Sequence, residues 1–260
     1  IAAMDVYDGT TFGMSTKRGD GHTGYIPVES TIPGRPEGDS LVTVTTNGLS
    51  GPWVPVLGSP SEIAFTGAGS AAQKDGLYVD TWANAALTTG PAGTMTYNVR
   101  TSFAEPVRDE DLASLSVVPL SVTDKNVPEG LATKVSELTQ NASTALSAAR
   151  AIEHYLANNG YYLNENTQFS RPGVRTDRLE RMLSSDEQLI GDDQQYSALM
   201  ALMLHQLGMN ARVVMGAYPE GGSQGGPATL HGSDIRAWVE VEFEGGVWAV
   251  FDPTPPRDHT

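Results

Sequence analysis

The stretch that decides how this chain folds is Gly191-Asp192-Asp193-Gln194-Gln195-Tyr196-Ser197-Ala198, followed by Leu207-Gly208-Met209-Asn210-Ala211-Arg212-Val213-Val214-Met215-Gly216. Asp192 or Asp193 is a helix-start residue, and Gly208 is a stop signal. Between them Tyr196, Leu199, Met200, Met203, Leu204 and Leu207 recur at helical spacing, which predicts one buried face. Immediately afterwards the period shifts to that of extended chain. Strands are expected over 211–217, 235–243 and 247–252, with Glu244-Gly245-Gly246 as the hairpin between the last two. A Gly-rich loop over 219–233 separates the first two strands.

The segment before this run is also helical. Leu131, Val135 and Leu138 mark one helix. Ser143 or Thr144 caps a second, carrying Leu146, Ala149, Ile152, Tyr155 and Leu156 and ending at Gly160. Tyr161-Tyr162-Leu163 reads as a short extended piece, and Thr176 or Asp177 as the cap of a short helix through Leu183. Residues 1–105 have a different texture. Leu41–Thr45, Trp53–Leu57, Gly76–Val79 and Met95–Val99 are short runs of β-formers separated by turn signals such as Asn47-Gly48 and Pro33-Gly34. The expected organisation is a β-rich, sandwich-like domain over 1–105, a connector over 106–128 and a helix-plus-sheet domain over 129–260. The fold class is α+β.

Composition narrows the function. Among 260 residues, 31 are acidic and 16 basic, for a formal charge of −15. No surplus of Lys and Arg is available to displace phosphate counterions or to hold anionic lipid, so nucleic acid is not an expected partner. The chain contains no cysteine, which excludes disulfides, thiolate metal sites and a thiol nucleophile. No EF-hand, phosphate-loop or HExxH spacing occurs, and neither a metal nor a cofactor is expected. Arg18-Gly19-Asp20 and Asn141-Ala142-Ser143 match short motifs that arise readily by chance.

The run just quoted, with Gly232-Ser233-Asp234-Ile235-Arg236-Ala237-Trp238-Val239-Glu240-Val241 and Trp248-Ala249-Val250-Phe251-Asp252-Pro253-Thr254-Pro255, resembles the bacterial transglutaminase-like superfamily with its papain-like core. The best likeness is to its membrane-anchored kind, whose extracytoplasmic domain sits between transmembrane segments. The resemblance implies helices packed on an antiparallel sheet and, in the family, a Cys–His–Asp triad: a thiolate at a helix N-terminus, a base in a His-Ala-Trp motif, and an aspartate that orients the base. Carried over residue by residue, the cysteine position is Asp193, the histidine position is Arg236, and only Asp252 matches.

These residues imply a degenerate triad and an inert domain. Arginine stays protonated and is no general base. The expected arrangement is an Asp193–Arg236 ion pair, with Arg236 also within reach of a partly buried Asp252. Trp238, Gln194 and His231 are the candidate binding residues, with Trp238 and Trp248 expected as core or groove wall. The implied role is binding or scaffolding at the cell envelope, toward a cell-wall peptide or glycan or another envelope protein. Membrane attachment would come through flanking segments outside this chain. The alternative is an enzyme of altered chemistry, an amide or peptide hydrolase or acyltransferase using Asp193 or His231.

Overall fold

A computed structural model of the chain describes residues 2–15, 24–105, 107–164, 172–184, 188–217 and 226–257. The chain forms two compact units, Ile1–Ala3 with Thr16–Pro106, and Met4–Ser15 with Val107–Thr260. The chain opens with β1 (Ala2–Met4), β2 (Val6–Tyr7) and β3 (Phe12–Gly13).

The first unit is antiparallel β. Its strands are β4 (Ile26–Pro27), β5 (Ser40–Asn47), β6 (Trp53–Val54), β7 (Ser59–Thr66), β8 (Leu77–Asp80), β9 (Ala85–Thr88) and β10 (Thr94–Ser102), with the short helix α1 (Ser70–Asp75) before β8. One sheet runs β5-β10-β7 and the other β4-β8-β9-β6. Ile63, Met95, Tyr97 and Val99 from the first share a core with Val54, Leu77, Val79 and Ala86 from the second. Alternation along β10 explains this: Met95, Tyr97, Val99 and Thr101 are buried and their neighbours are not. The strand β7 carries no sustained alternation of β-formers, and the sequence reading passed over it.

In the second unit the N-terminal hairpin and the stretch 107–128 are integral parts. The segment read as a connector begins with α2 (Asp109–Leu112) and is then laced to the C-terminal strands: the Val118 amide donates to Glu242 O, and its carbonyl accepts from the Asn210 amide. Helices α3 (Leu131–Thr139) and α4 (Ala145–Asn159) follow. Thr144 caps α4, accepting from the Ser147 amide at 3.1 Å, as its position before the apolar run predicts. β11 (Tyr161–Tyr162) pairs in parallel with β12 (Ile190–Gly191), and α5 (Thr176–Leu183) lies between them in sequence. Arg175 is the N-cap of α5. Thr176, an expected cap, instead reaches the carbonyls of Gly9 and Asn126 with its hydroxyl.

The centre of this unit is α6 (Asp193–Gln206). The expectation of a single buried face falls short. Ser197, Ala198, Ala201, Leu202 and His205 are buried too, while Leu207 lies beyond the helix and is 36% exposed. The helix is enclosed because α3 and α4 pack on it from one side and strands β13 (Ala211–Gly216) and β14 (Arg236–Phe243) from the other. β15 (Val247–Phe251) completes the antiparallel run β13-β14-β15, and its hairpin to β14 turns on Gly245 and Gly246, both at positive φ. Ala237, Val239, Val241 and Phe243 face the core, and Arg236, Trp238, Glu240 and Glu242 alternate onto the opposite face. Among the described residues, no helix is long and apolar enough to cross a membrane.

Candidate functional site

The site begins where α6 begins. Asp192 is the N-cap: its carboxylate accepts from the Gln195 amide at 2.9 Å, and Gln195 Oε1 accepts in return from the Asp192 amide at 3.3 Å. Gln195 is fully buried and braced from behind, donating to Gly173 O and accepting from Arg178. The carboxyl of Asp192 is pushed above its ordinary range, first by burial and further by the charge of Asp193, while the Gln195 amide pulls it back.

Asp193 is the first residue of the helix and is 8% exposed. Its Oδ2 accepts from the Ala237 amide at 2.6 Å. That amide is available for a local reason. Pairing of β14 with β15 stops at Val239 opposite Phe251, two residues short of Ala237. The carboxylate therefore joins the start of the helix to the start of the strand, across 44 positions of chain.

Arg236 does not form the expected ion pair. Its Nη1 donates to Ser233 O at 2.8 Å and Ile235 O at 3.1 Å, and among the described residues no carboxylate lies within ion-pairing distance of it. The reason is geometric. Arg236 starts β14 and points to the face opposite the helix, where the short 3₁₀ turn Gly232–Asp234 offers carbonyls, while Asp193 has already found a backbone donor. Asp252 also departs from expectation: it is exposed and not partly buried. It lies one residue beyond β15, its Oδ1 accepts from the Thr254 amide at 3.0 Å, and its own amide donates to Glu153 on α4 at 2.8 Å. Glu153 is in turn held by Arg150 at 2.7 Å.

Two of the three positions, 236 and 252, nevertheless border one cavity. Arg236, Ala237, Trp238, Glu240, Val250 and Asp252 line an open cavity of about 300 Å³ on the face of the sheet away from α6. Trp238 forms one wall. Its ring lies over Gly216, where a Cβ would come within 2.5 Å of the indole, so glycine at that position makes room for the side chain. Its Nε1 donates to Glu240 at 3.1 Å, and Glu240 is also held by Arg212 at 2.7 Å, whose guanidinium stacks on Trp248. Gln194 and His231 are both exposed and neither lines the cavity. The His231 amide donates to Asp234 as part of the 3₁₀ turn. Among the described residues, no group of three or more His, Asp or Glu side chains is arranged to hold a metal ion. The Arg18-Gly19-Asp20 match, His22, His259 and residues 219–225 of the Gly-rich loop lie outside the described residues.

Sequence reading missed Tyr162 and Arg257. Parallel pairing places Tyr162 opposite Gly191, just ahead of the N-cap of α6. Burial raises the phenol above its ordinary range, Asp193 and Asp192 add to this, and Arg257 and Arg236 oppose it. The Arg257 guanidinium sits 5.1 Å from the centre of the Tyr162 ring. The one available signal was Gly160, which ends α4. A Cβ there would meet Pro255 at 2.7 Å, so the tail after β15 must cross at that point.

The sequence profile of the Transglutaminase-like superfamily matches residues 132–253. Those residues are a transglutaminase-like domain. The matched span runs from α3 to just past β15 and contains positions 193, 236 and 252. A protein of Bacillus subtilis, the uncharacterized protein YebA, is 30% identical over 135 residues, which make up 50% of this chain but 18% of YebA. The chain thus spans less than a fifth of that relative. The solved periplasmic domain of TgpA from Pseudomonas aeruginosa, bound to ethylmercury, superposes with a TM-score of 0.57 at 18% identity, covering 97% of this chain and 82% of that one. A second TgpA structure gives 0.56 at 17% identity, covering 97% and 80%. At such identities the likeness speaks for the fold: the transglutaminase-like domain and the β-rich unit both have counterparts within the TgpA domain.

Proposed function

We propose that this transglutaminase-like domain is a non-catalytic binding module of the bacterial cell envelope, using the groove beside Trp238. The observation that carries the reading is the state of position 193. The chain has no cysteine, and the carboxylate that stands at the helix N-terminus is engaged by the Ala237 amide. A carboxylate so held is a poor acyl nucleophile, and the base position holds a guanidinium that cannot accept a proton. His231 is exposed and outside the cavity wall, which weighs against rescue by that residue. An extracytoplasmic location, in a parent protein anchored in the membrane, is supported by the name of the TgpA domain, which is periplasmic. A role toward cell-wall peptide or glycan follows from that location.

The test has two arms. The unmodified protein is incubated with amine donors and glutamine-containing or muramyl-peptide substrates, and no turnover is expected. Turnover abolished by Asp193→Ala would refute the reading and favour an enzyme of altered chemistry. In the second arm, binding of peptidoglycan fragments is measured with and without Trp238→Ala. Binding lost in the variant supports a module, and no binding by either protein reduces the domain to a spacer. Reading the parent open reading frame for hydrophobic spans tests the anchoring.

A further inference from the structure

The cavity beside Trp238 has an unusual charge arrangement. Three charged residues line it, and one of them, Glu240, is already neutralised by Arg212 and by the Trp238 indole N–H. The other two are a guanidinium and a carboxylate that do not meet. Arg236 donates from Nη1 to two carbonyls, and among the described residues its Nε and Nη2 make no hydrogen bond. Asp252 accepts one backbone amide through Oδ1. Among the described residues, neither has an ion-pair partner within 4 Å. Asp234, two residues back, feels the charge of Arg236, but it lies outside ion-pairing distance and its carboxylate accepts from the His231 amide.

We propose that the groove takes a small zwitterion: a ligand with a carboxylate that docks on Arg236, an ammonium that docks on Asp252, and an apolar body lying against Trp238 and Val250. This deepens the binding role proposed above and rests on it. Charge complementarity selects this occupant over a simple anion or a simple amine. A lone carboxylate at Arg236 would lie in the field of Asp252, and a lone ammonium at Asp252 in that of Arg236. A ligand with both charges satisfies the two residues together. Guanidinium binds carboxylate through parallel N–H donors, and the unused Nε and Nη2 are the pair that this geometry requires. Val250, 56% exposed at the cavity edge, gains cover when the groove is filled. The cavity, at about 300 Å³, is at the small end of ligand sites, which suits a single amino acid or a chain end better than an extended polymer.

The test uses the full chain and a ladder of probes: glycine, β-alanine, γ-aminobutyrate and ε-aminocaproate, which step the two charges apart, with acetate and propylamine as single-charge controls. Binding is followed by calorimetry and by the Trp238 indole resonance. One member of the ladder is expected to bind at least tenfold more tightly than either control. Arg236→Gln and Asp252→Asn are each expected to weaken it at least tenfold. Asparagine still accepts from the Thr254 amide, so the turn at 252 survives the change. If the controls bind as well as every zwitterion, or if neither substitution matters, the proposal is overturned. Peptidoglycan fragments that bind through Trp238 while the ladder shows no preference would remove this inference alone. A groove that binds neither fragments nor zwitterions would remove the binding role with it.

Discussion

The short bond from the Ala237 amide to Asp193 gives the sharpest test of how this site is built. Replacing Asp193 with alanine leaves a backbone N–H unpaired between helix and strand, in a place where the original residue is 8% exposed. An orphaned buried donor costs about 1–3 kcal/mol. Loss of a negative charge from the first turn of a helix costs a further ~0.3–1 kcal/mol. The expected destabilisation for Asp193→Ala is therefore roughly 1–4 kcal/mol, from those two contributions. Asp193→Asn keeps an oxygen acceptor and loses only the charge, at ~0.3–1 kcal/mol. Arg236→Gln is expected to cost no more than ~0.5 kcal/mol, as for surface substitutions away from packed features. Because the chain has two compact units, site-resolved amide exchange under rising denaturant is the suitable assay. In Asp193→Ala the Ala237 amide should lose protection before the rest of β14. The double variant should show near-additivity, because the two side chains make no direct contact. An unchanged Ala237 amide, or a coupling above ~1 kcal/mol between positions 193 and 236, would refute the reasoning and restore the ion pair.

Other consequences follow from polar groups elsewhere in the second unit. His205 Nδ1 lies 2.6 Å from Asp124 Oδ2 and Nε2 lies 2.9 Å from Ala211 O, with Asp124 also accepting from the Tyr7 amide, so His205→Ala should cost about 3–5 kcal/mol by isolating a buried carboxylate. Denaturation curves measure this, and a loss below ~1 kcal/mol would deny the pair a structural role. Asp192→Ala should cost ~1 kcal/mol as a lost cap, whereas Asp192→Asn keeps the cap. With its folded-state pKa raised, Asp192 lowers stability as pH climbs from 3.8 through the raised value, so the asparagine variant should lack that decline in acid denaturation profiles. Asp8 accepts from the Thr10 amide and hydroxyl and from the Thr11 amide, which lower its pKa to about 2. Its contribution is present above 3.8 and disappears as pH falls toward about 2, and a carboxyl NMR titration with a midpoint near 3.8 would contradict the turn geometry.

Much of the second unit was legible in the order of residues because its signals are local. Thr144 before an apolar run, Asp192 three residues ahead of Gln195, and Gly245-Gly246 between two strands each act through atoms within one turn of chain. The lack of cysteine was equally plain and rules out a thiol at any position. The all-round burial of α6 was not legible, since which faces of a helix are covered depends on how many partners arrive.

The site divides along the same line. Which residue types stand at positions 193, 236 and 252, at a helix start and along two strands, was written in the sequence. Which donor each of them meets was decided only by tertiary structure. Asp193 could pair with a guanidinium or with a backbone amide. The early end of the β14–β15 ladder frees the Ala237 amide, and the alternation of β14 turns Arg236 to the other face. Tyr162 enters the site through a two-residue parallel pairing with Gly191, across 29 positions, that no local pattern encodes. Hydrogen-bond partners far apart in the chain are chosen by competition among all the groups that packing brings within about 3 Å, and that competition takes place only in the folded molecule.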